Sequence, residues 1–324
     1  MKNILVTGGA GYIGSHIVEL LIKKKANVTI LDNLSTGYKK LINKNSEFIK
    51  GDIKNINILK KIIKEKKITS IIHLAACLNV KEAELKHKKY YKNNVLGTLN
   101  LVKACKNSMV KNIIFSSSCS IYGNVKEGMV SEKKRPNPQG KYASSKLDGE
   151  NIIKKYSKKN NYKYVILRYF NVVGASESGK IGEIETSHNH LFKNIAIASL
   201  KKKPIINIFG KNYNTPDGTC IRDYMHVVDL SQIHIKCLEK INSSRKSITL
   251  NCGYGKGFSV LEVAKKLKKI QKKKIIINFK KPRLGDVGKV YSDTLKLKKF
   301  INWKPKYNNL EFMLKSAIKW EKKI

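Results

Sequence analysis

Three glycines near the start of the chain restrict the possible folds more than any other feature. A short apolar strand is predicted over residues 4–7, and Gly8, Gly11 and Gly14 follow it where an amphipathic helix is predicted to begin. Glycines allow a tight turn and close approach of a ligand, and the helix N-terminus offers amide donors to an anion. A purely structural turn is the alternative. The strand–glycine–helix context favours a site for the pyrophosphate of a dinucleotide.

Strand-like apolar runs alternate with amphipathic helical stretches through the first half of the chain. Such alternation predicts a parallel sheet with helices on both faces. We therefore expect a doubly wound, Rossmann-type α/β domain over residues 1–171, followed by a smaller substrate-binding lobe over residues 172–324. The pattern leaves open whether part of the lobe returns to the main sheet. The predicted strands are 4–7, 28–31, 47–50, 70–74, 112–116 and 164–168, and the predicted helices are 13–24, 56–65, 93–107 and 142–158.

The net charge of +43 suggests a nucleic-acid binder, which is the alternative from another functional class. Only five of the 66 basic residues are arginine, however, and the lysines are spread over the whole chain. Surfaces that bind nucleic acids usually rely on arginine for bidentate and stacking contacts. We therefore attribute the charge to a compositional preference for lysine and expect no nucleic-acid partner.

The six cysteines show no metal-ligand spacing, and no apolar run is long enough to span a membrane. The N-terminus reads as a strand and not as a signal peptide. These features predict a cytoplasmic protein with reduced thiols, without a metal site and without a membrane anchor.

Two acidic residues follow predicted strands close to the glycine loop. Asp32 ends the second strand, 18 residues after Gly14, where a carboxylate accepts hydrogen bonds from ribose hydroxyls. A carboxylate there repels a 2′-phosphate, so the position favours NAD over NADP as cofactor. Asp52 follows the third strand and is a candidate contact for the adenine amino group. A solvated turn residue is the alternative for Asp52.

A serine and a tyrosine–lysine pair form the candidate catalytic set. Ser118 ends a predicted strand, at the edge where open α/β sheets bind ligands. Tyr142 and Lys146 are four residues apart on a predicted helix, so they share one face. An ammonium group beside a phenol favours the phenolate, which predicts a lowered Tyr142 pKa and a role as general base. An exposed Tyr–Lys pair is the alternative, but the order of the motifs favours catalysis.

These motifs together resemble the extended short-chain dehydrogenase/reductase family and, within it, the UDP-glucose 4-epimerases. The resemblance covers essentially the whole chain, and its most specific segments are 7–16, 90–95, 115–123, 169–171 and 217–227. It implies NAD-dependent inversion of the 4-hydroxyl of a UDP-hexose (UDP-glucose or UDP-galactose) through a transient 4-keto intermediate. It also implies that Tyr142 is the base, that Lys146 assists it and binds the nicotinamide ribose, and that Ser118 orients the sugar hydroxyl.

The resemblance implies further contacts, residue by residue. Those to the cofactor are Gly8, Gly11, Tyr12, Ile13, Gly14, Asp32, Asn33, Asp52, Ile53, Leu74, Ala75, Ala76, Asn93, Tyr142, Lys146 and Phe170. Those to the substrate are Ser118, Tyr142, Asn171, His190, Leu191, Asn207, Ile208, Phe209, Arg222, Arg283, Asp286 and Val290. Related proteins dimerise through two helices per subunit, here near residues 93–107 and 142–158, which implies a homodimer.

Two of the five arginines, Arg222 and Arg283, are informative because arginine is rare in this chain. Arg222 and Arg283 can each grip a diphosphate bidentately, as lysine cannot. A structural ion pair with an acidic neighbour is the alternative for Arg222.

Four positions depart from the pattern of the relatives. Leu78 stands where many have lysine, and Lys141 stands where proline is frequent. His190 stands where some have asparagine, and Val290 where many have a bulky aromatic residue. A small residue at 290 leaves room for an N-acetyl group, so a UDP-N-acetylglucosamine 4-epimerase is an alternative function. Another nucleotide-sugar enzyme of the superfamily is a further alternative. Dehydratases and decarboxylases tend to carry acids beside the catalytic serine, and Ser118 is followed by Cys119 and Ser120 instead.

Overall fold

The structure, a computed structural model, describes residues 3–125, 128–184, 190–244, 246–271, 274–283 and 286–324. The strands are β1 (Asn3–Thr7), β2 (Asn27–Asp32), β3 (Glu47–Lys50), β4 (Ser70–His73), β5 (Asn112–Ser118), β6 (Met129–Val130), β7 (Lys163–Tyr169), β8 (Asn171–Val173), β9 (Ile205–Phe209), β10 (Ile221–His226), β11 (Ile248–Cys252), β12 (Gly257–Ser259), β13 (Ile276–Lys280) and β14 (Lys289–Ser292).

The helices follow the strands in regular alternation through the first half of the chain. They are α1 (Tyr12–Lys23), α2 (Ile56–Glu65), α3 (Val80–Leu85), α4 (His87–Tyr90), α5 (Gly97–Ala104), α6 (Lys141–Asn160), α7 (Leu191–Leu200), α8 (Val227–Ser243), α9 (Val260–Gln271), α10 (Leu295–Ile301) and α11 (Leu310–Glu321). Short 3₁₀ turns occur at Lys39–Leu41 and Cys119–Tyr122.

Within the described residues, the main sheet has seven strands in the order β11-β7-β5-β4-β1-β2-β3, and each neighbouring pair is parallel. The strand order reverses between β1 and β4. Ligands of open α/β sheets bind in the crevice at such a reversal, beyond the carboxyl ends of the strands. The glycine loop follows β1 and the segment 74–76 follows β4, so both lie at this crevice.

The alternating side chains of the central strands build two separate cores. Ile4 and Val6 of β1 pack in one cluster with Ile17 of α1 and Leu230 of α8, whereas Leu5 packs in the other. That second cluster contains side chains from α2, α5 and α6. Because successive strand residues point to opposite faces, apolar runs without polar alternation indicate burial on both sides. The predicted doubly wound α/β fold is confirmed.

The C-terminal region contributes to the main sheet and also forms sheets of its own. The edge strand β11 pairs with β7, although it lies far beyond residue 171, and the boundary at that residue stays a prediction. Strands β12, β10, β14 and β6 form a second sheet, in which β10 also pairs with β8. Strands β9 and β13 form a parallel pair beside it. The lobe thus packs against the carboxyl edge of the main sheet through β8 and β10.

The predicted helix over 93–107 is interrupted in the structure. A π-helical segment, Tyr91–Leu96, precedes α5. Inside it, the buried Asn94 side chain accepts a hydrogen bond from Cys77 N at 2.8 Å and donates to Cys77 O at 3.1 Å and to Ser145 Oγ at 3.0 Å. Single π-turns often mark functional sites, and this one ties α5 and α6 to the loop after β4.

None of the described helices has the length and hydropathy of a membrane span.

Candidate active site

A cavity of about 970 Å³ lies between the carboxyl edge of the main sheet and the C-terminal lobe. Most of the residues predicted to bind cofactor or substrate line it. They are Gly8, Gly11, Tyr12, Ile13, Gly14, Asp32, Leu74, Ala75, Ala76, Ser118, Tyr142, Phe170, Asn171, His190, Leu191, Asn207, Phe209, Arg222, Arg283 and Asp286. A second cavity of about 440 Å³ shares Asp32, Ala75 and Ala76 with the first and is also lined by Asn33, Ile53 and Asn93.

The glycine loop packs against the backbone of the segment that follows β4. Gly8 has a φ of +75°, and a Cβ added there would lie 2.8 Å from the backbone nitrogen of Ala75. A Cβ on Gly14 would lie 2.2 Å from the carbonyl oxygen of Gly8. The loop therefore needs glycine at both positions. Because the loop carries no side chain there, the start of α1 is open to the cavity.

Asp32 is held in place by the backbone around it. Its carboxylate accepts hydrogen bonds from Ala10 N at 3.0 Å and Leu34 N at 2.9 Å, and only 8% of the residue is exposed. Burial raises its pKa, and these two amides act in the opposite direction. The fixed carboxylate stands between the two cavities, where it can accept hydrogen bonds from a ribose.

Asp52 lies outside both cavities in the described part of the chain. Its carboxylate accepts from Asn33 Nδ2 at 3.0 Å and from Lys54 N at 2.8 Å. Burial raises its pKa, but these hydrogen bonds outweigh that effect and hold the pKa below the ordinary value. Asp52 therefore orients Asn33, which does line the second cavity, and its own contact with adenine stays a prediction.

The three candidate catalytic residues come together at one wall. Ser118 ends β5, caps the following 3₁₀ turn and accepts hydrogen bonds from Ser120 N at 3.2 Å and Ser120 Oγ at 3.0 Å. Tyr142 lies in the first turn of α6 and lines the same cavity. Lys146 is 3% exposed and lies behind this wall, where Nζ donates to Ser116 O at 2.8 Å.

The electrostatics of this wall correct one expectation. Burial raises the pKa of Tyr142 to about 12, and a hydrogen bond with Ser118 lowers it only in part. Burial also lowers the pKa of Lys146 to about 8. The predicted lowering of the phenol pKa by Lys146 is therefore wrong for the protein by itself, because desolvation dominates and the ammonium group is hydrogen-bonded to Ser116 O. At neutral pH the pair is a phenol and an ammonium ion.

Two arginines, Arg222 and Arg283, also line the cavity. Arg222 Nη2 lies 3.5 Å from Asp286 Oδ1, and Nη1 donates to Ile221 O at 3.0 Å. The guanidinium carbon of Arg283 lies 4.1 Å from the centre of the Phe209 ring. A planar cation stacked on an aromatic ring, with a second guanidinium in the same cavity, suits an anion linked to a flat base.

Two predicted substrate contacts are not on the cavity wall in the described residues. Ile208 is 1% exposed and packs in the first core, since it points to the opposite face of β9 from Asn207 and Phe209. Val290 is 8% exposed and packs with Ile121, Tyr122, Val125, Val130 and Phe170. The room expected beside a small residue at 290 is occupied by these neighbours.

Two features near the site could not be predicted from any local sequence pattern. Glu183 lines the cavity, and its carboxylate is paired with His190 Nδ1 at 2.5 Å. Burial lowers the pKa of His190, but Glu183 more than reverses this and raises it. The clamp formed by Asn94 is the second example. Both depend on partners at least seven residues away, so no motif predicts them.

Sequence comparison then decides the family. The sequence model of the NAD-dependent epimerase/dehydratase family matches residues 4–253. The chain belongs to this family. A UDP-glucose 4-epimerase of Lactobacillus helveticus is 38% identical over 319 residues, which cover 98% of this chain and 97% of the relative. The resemblance predicted from the sequence motifs is confirmed.

Solved structures of the NAD-dependent epimerase/dehydratase family superpose over nearly the full chain. A UDP-glucose 4-epimerase from Brucella ovis in complex with NAD matches with a TM-score of 0.93 and 33% identity, covering 98% of both chains. The UDP-Glc/GlcNAc 4-epimerase from Campylobacter jejuni matches with a TM-score of 0.87 and 37% identity, covering 100% of both chains.

Proposed function

We propose that this chain is an NAD-dependent 4-epimerase that interconverts UDP-glucose and UDP-galactose. The observation that carries the proposal is the arrangement of the larger cavity. Ser118 and Tyr142 line it together with the glycine loop, and Arg222 and Arg283 line the same cavity. A sugar nucleotide bound there by its diphosphate brings its hexose to the tyrosine and to the cofactor.

The residues present fit NAD as the cofactor. The start of α1 would receive the pyrophosphate, because Gly8, Gly11 and Gly14 line the larger cavity there and a helix N-terminus favours an anion. Asp32 accepts from the adenosine ribose, and Asn33, Ile53 and Asn93 line the pocket for the rest of the adenosine. When bound, NAD would supply the reversible hydride-transfer chemistry at C4 of the sugar.

Tyr142 supplies the acid–base chemistry. Its phenolate takes the proton of the sugar 4-hydroxyl, and the phenol returns a proton after the configuration has inverted. Because burial opposes the phenolate, the reaction needs positive charge nearby, and Lys146 is protonated below about pH 8. Ser118 is within reach of the same hydroxyl and orients it.

Inversion also requires that the hexose turn over inside the cavity, so that each face of the sugar ring lies in turn against the same catalytic groups. The two arginines hold the diphosphate, while a cavity of about 970 Å³ leaves the sugar space to rotate. No second base is required, because Tyr142 serves both directions.

Acceptance of N-acetylated hexoses is a second candidate function. The Campylobacter jejuni neighbour is named for both UDP-Glc and UDP-GlcNAc. The small size of Val290 does not carry this idea, because its side chain is packed in a cluster with Ile121 and Phe170 and does not line the cavity.

Assembly and location are further parts of the proposal. A homodimer would bury Leu85, which is 84% exposed, and Tyr91, which is 53% exposed, next to α5 and α6. Reduced cysteines fit a cytoplasmic location, since all six are free thiols. Analytical ultracentrifugation of the wild type and of Leu85→Glu tests the dimer, because a charge in a buried interface dissociates it.

The decisive experiment follows UDP-galactose by NMR with purified protein and no added reductant. Conversion to UDP-glucose without net NADH release is the expected result. UDP-GalNAc is run in parallel, and Tyr142→Phe is the matched control because it removes only the hydroxyl. If NAD stays bound but neither sugar nucleotide is converted, the proposal is rejected in favour of another nucleotide-sugar reaction.

A further inference from the structure

A buried ion pair lies directly behind the catalytic wall. Glu150 is 0% exposed and Arg168 is 4% exposed. Glu150 Oε1 accepts from Arg168 Nε at 2.8 Å, and Oε2 accepts from Arg168 Nη2 at 2.7 Å. The pair is therefore bidentate, which is the geometry with the greatest directional specificity.

The pair is extended by hydrogen bonds at both ends. Ser117 Oγ donates to Glu150 Oε1 at 2.7 Å, and Arg168 Nη1 donates to Tyr122 Oη at 2.8 Å. Tyr122 Oη in turn donates to Asn251 Oδ1 at 2.7 Å. This network, which we call the Glu150 network, joins α6 to β5, β7, β11 and the 3₁₀ turn after β5.

Three members of the Glu150 network are close in sequence to residues of the proposed site. Ser117 precedes Ser118, and Glu150 is one helical turn after Lys146. Arg168 lies near the end of β7, shortly before Phe170 and Asn171. The separate elements that carry the base, the serine and the substrate contacts are therefore held in register by one set of hydrogen bonds.

Stability alone is a poor reason for such a pair. Removing two charges from water is costly, and apolar residues of similar size often serve a core equally well or better. The neighbouring second core already packs Phe115, Ile153 and Ile166 tightly. The ion pair adds what apolar packing does not, namely a fixed distance and orientation between four elements.

We propose that the Glu150 network is a positioning device that sets Ser118 and Lys146 relative to one another for the epimerisation proposed above. This inference rests on the proposed function and goes beyond it. Among the described residues, Glu150 and Arg168 line neither cavity, so they act through their neighbours and not on the substrate. Ser117 lines the larger cavity beside Ser118 and connects Glu150 to the wall.

Glu150 also acts on Lys146 through its charge. The ionisable groups that interact with the Lys146 ammonium are Cys77 in the loop after β4, Glu150 on α6 and His73 on β4. Among these groups of the described residues, Glu150 supplies the carboxylate. Its negative charge opposes the loss of the Lys146 proton, which burial favours. Loss of that charge should move the alkaline limb of the kcat profile to lower pH.

Two variants test the positioning role. Glu150→Gln keeps the shape of the side chain and removes its charge. The double variant Glu150→Leu/Arg168→Met replaces the pair by apolar side chains, which a core tolerates if only packing matters. Asp148→Asn is the matched control, since it removes the same charge from the exposed face of the same helix.

The readouts are the thermal midpoint, the NAD content after gel filtration, KM, and kcat as a function of pH. For both network variants we expect a folded protein whose kcat is at least tenfold lower with KM nearly unchanged. The alkaline limb should shift to lower pH in Glu150→Gln, and Asp148→Asn should behave as wild type. A folded double variant with wild-type kcat and NAD content would overturn the proposal.

The outcome is separable from the proposed function itself. If the wild type does not epimerise UDP-galactose, the proposed function fails whatever the variants do. NAD content then still tests the network, because Lys146 is proposed to bind the nicotinamide ribose. Reduced NAD retention in the folded variants supports positioning, and retention equal to wild type contradicts it.

Discussion

The glycine loop allows a prediction whose sign is set by the structure. Gly14 lies inside α1, where alanine is intrinsically favoured over glycine by about 1 kcal/mol. A substitution judged by helix propensity alone should therefore stabilise the protein. The structure predicts the opposite, because the added Cβ would lie 2.2 Å from the Gly8 carbonyl oxygen and 2.8 Å from the Gly9 Cα.

The magnitude follows from what has to move. Ordinary van der Waals contact begins at about 3.4 Å, and both clashing atoms belong to the backbone. The strain cannot be relieved by a side-chain rotamer, so α1 must shift away from the loop. Overpacking of this kind costs about 1–3 kcal/mol. Unfolding 324 residues carries an entropy of about 0.7 kcal/mol/K, so we expect Gly14→Ala to lower Tm by roughly 2–5 °C.

Gly11→Ala is the matched control. Its Cβ would meet only the Gly8 carbonyl oxygen, at 3.3 Å, and Gly11 has a φ of −84° that alanine adopts freely. Gly11 lines the cavity, so this variant should keep a Tm close to wild type and lose NAD affinity. Differential scanning fluorimetry with and without NAD separates the two effects. A Gly14→Ala protein with an unchanged or higher Tm and full NAD retention would refute the steric argument.

Three further predictions concern the ionisable groups. Tyr142→Phe should lower kcat at least about 100-fold, as measured by NMR turnover, because it removes the general base, and a residual rate near wild type would exclude that role. Lys146 has a pKa of about 8 in the folded protein against 10.5 as the ordinary value, so the folded protein binds fewer protons than the unfolded chain between these values. Stability should therefore rise with pH over this window in the wild type relative to Lys146→Met, and parallel Tm–pH curves would contradict this. Four buried histidines have pKa values lowered by burial, so the unfolded chain takes up protons first and stability should fall as the pH drops from about 6.5 towards 4. These are His16 and His234, with pKa values of about 4, and His73 and His226, with pKa values of about 3. Urea titrations at several pH values check this prediction, and a pH-independent unfolding midpoint would count against it.

The sequence by itself determined the fold class and the composition of the site. The order of strand, glycine loop and helix at Gly8–Gly14 is a local pattern, and so is the spacing of Tyr142 and Lys146 on one helical face. Steric rules for glycine and the 3.6-residue period act over a few neighbouring residues. Such rules can therefore be applied without knowledge of the rest of the chain.

Tertiary structure decided everything that depends on desolvation and on distant partners. The raised pKa of Tyr142 and the lowered pKa of Lys146 result from burial by several elements, which the i, i+4 spacing does not reveal. The inward orientation of Ile208 and the packing of Val290 depend on which strands pair with their own. Glu150 and Arg168 are 18 residues apart, and their ion pair exists only because α6 crosses β7 in the folded protein. Charge burial and side-chain packing are set by neighbours in space, whereas a sequence motif records only neighbours along the chain.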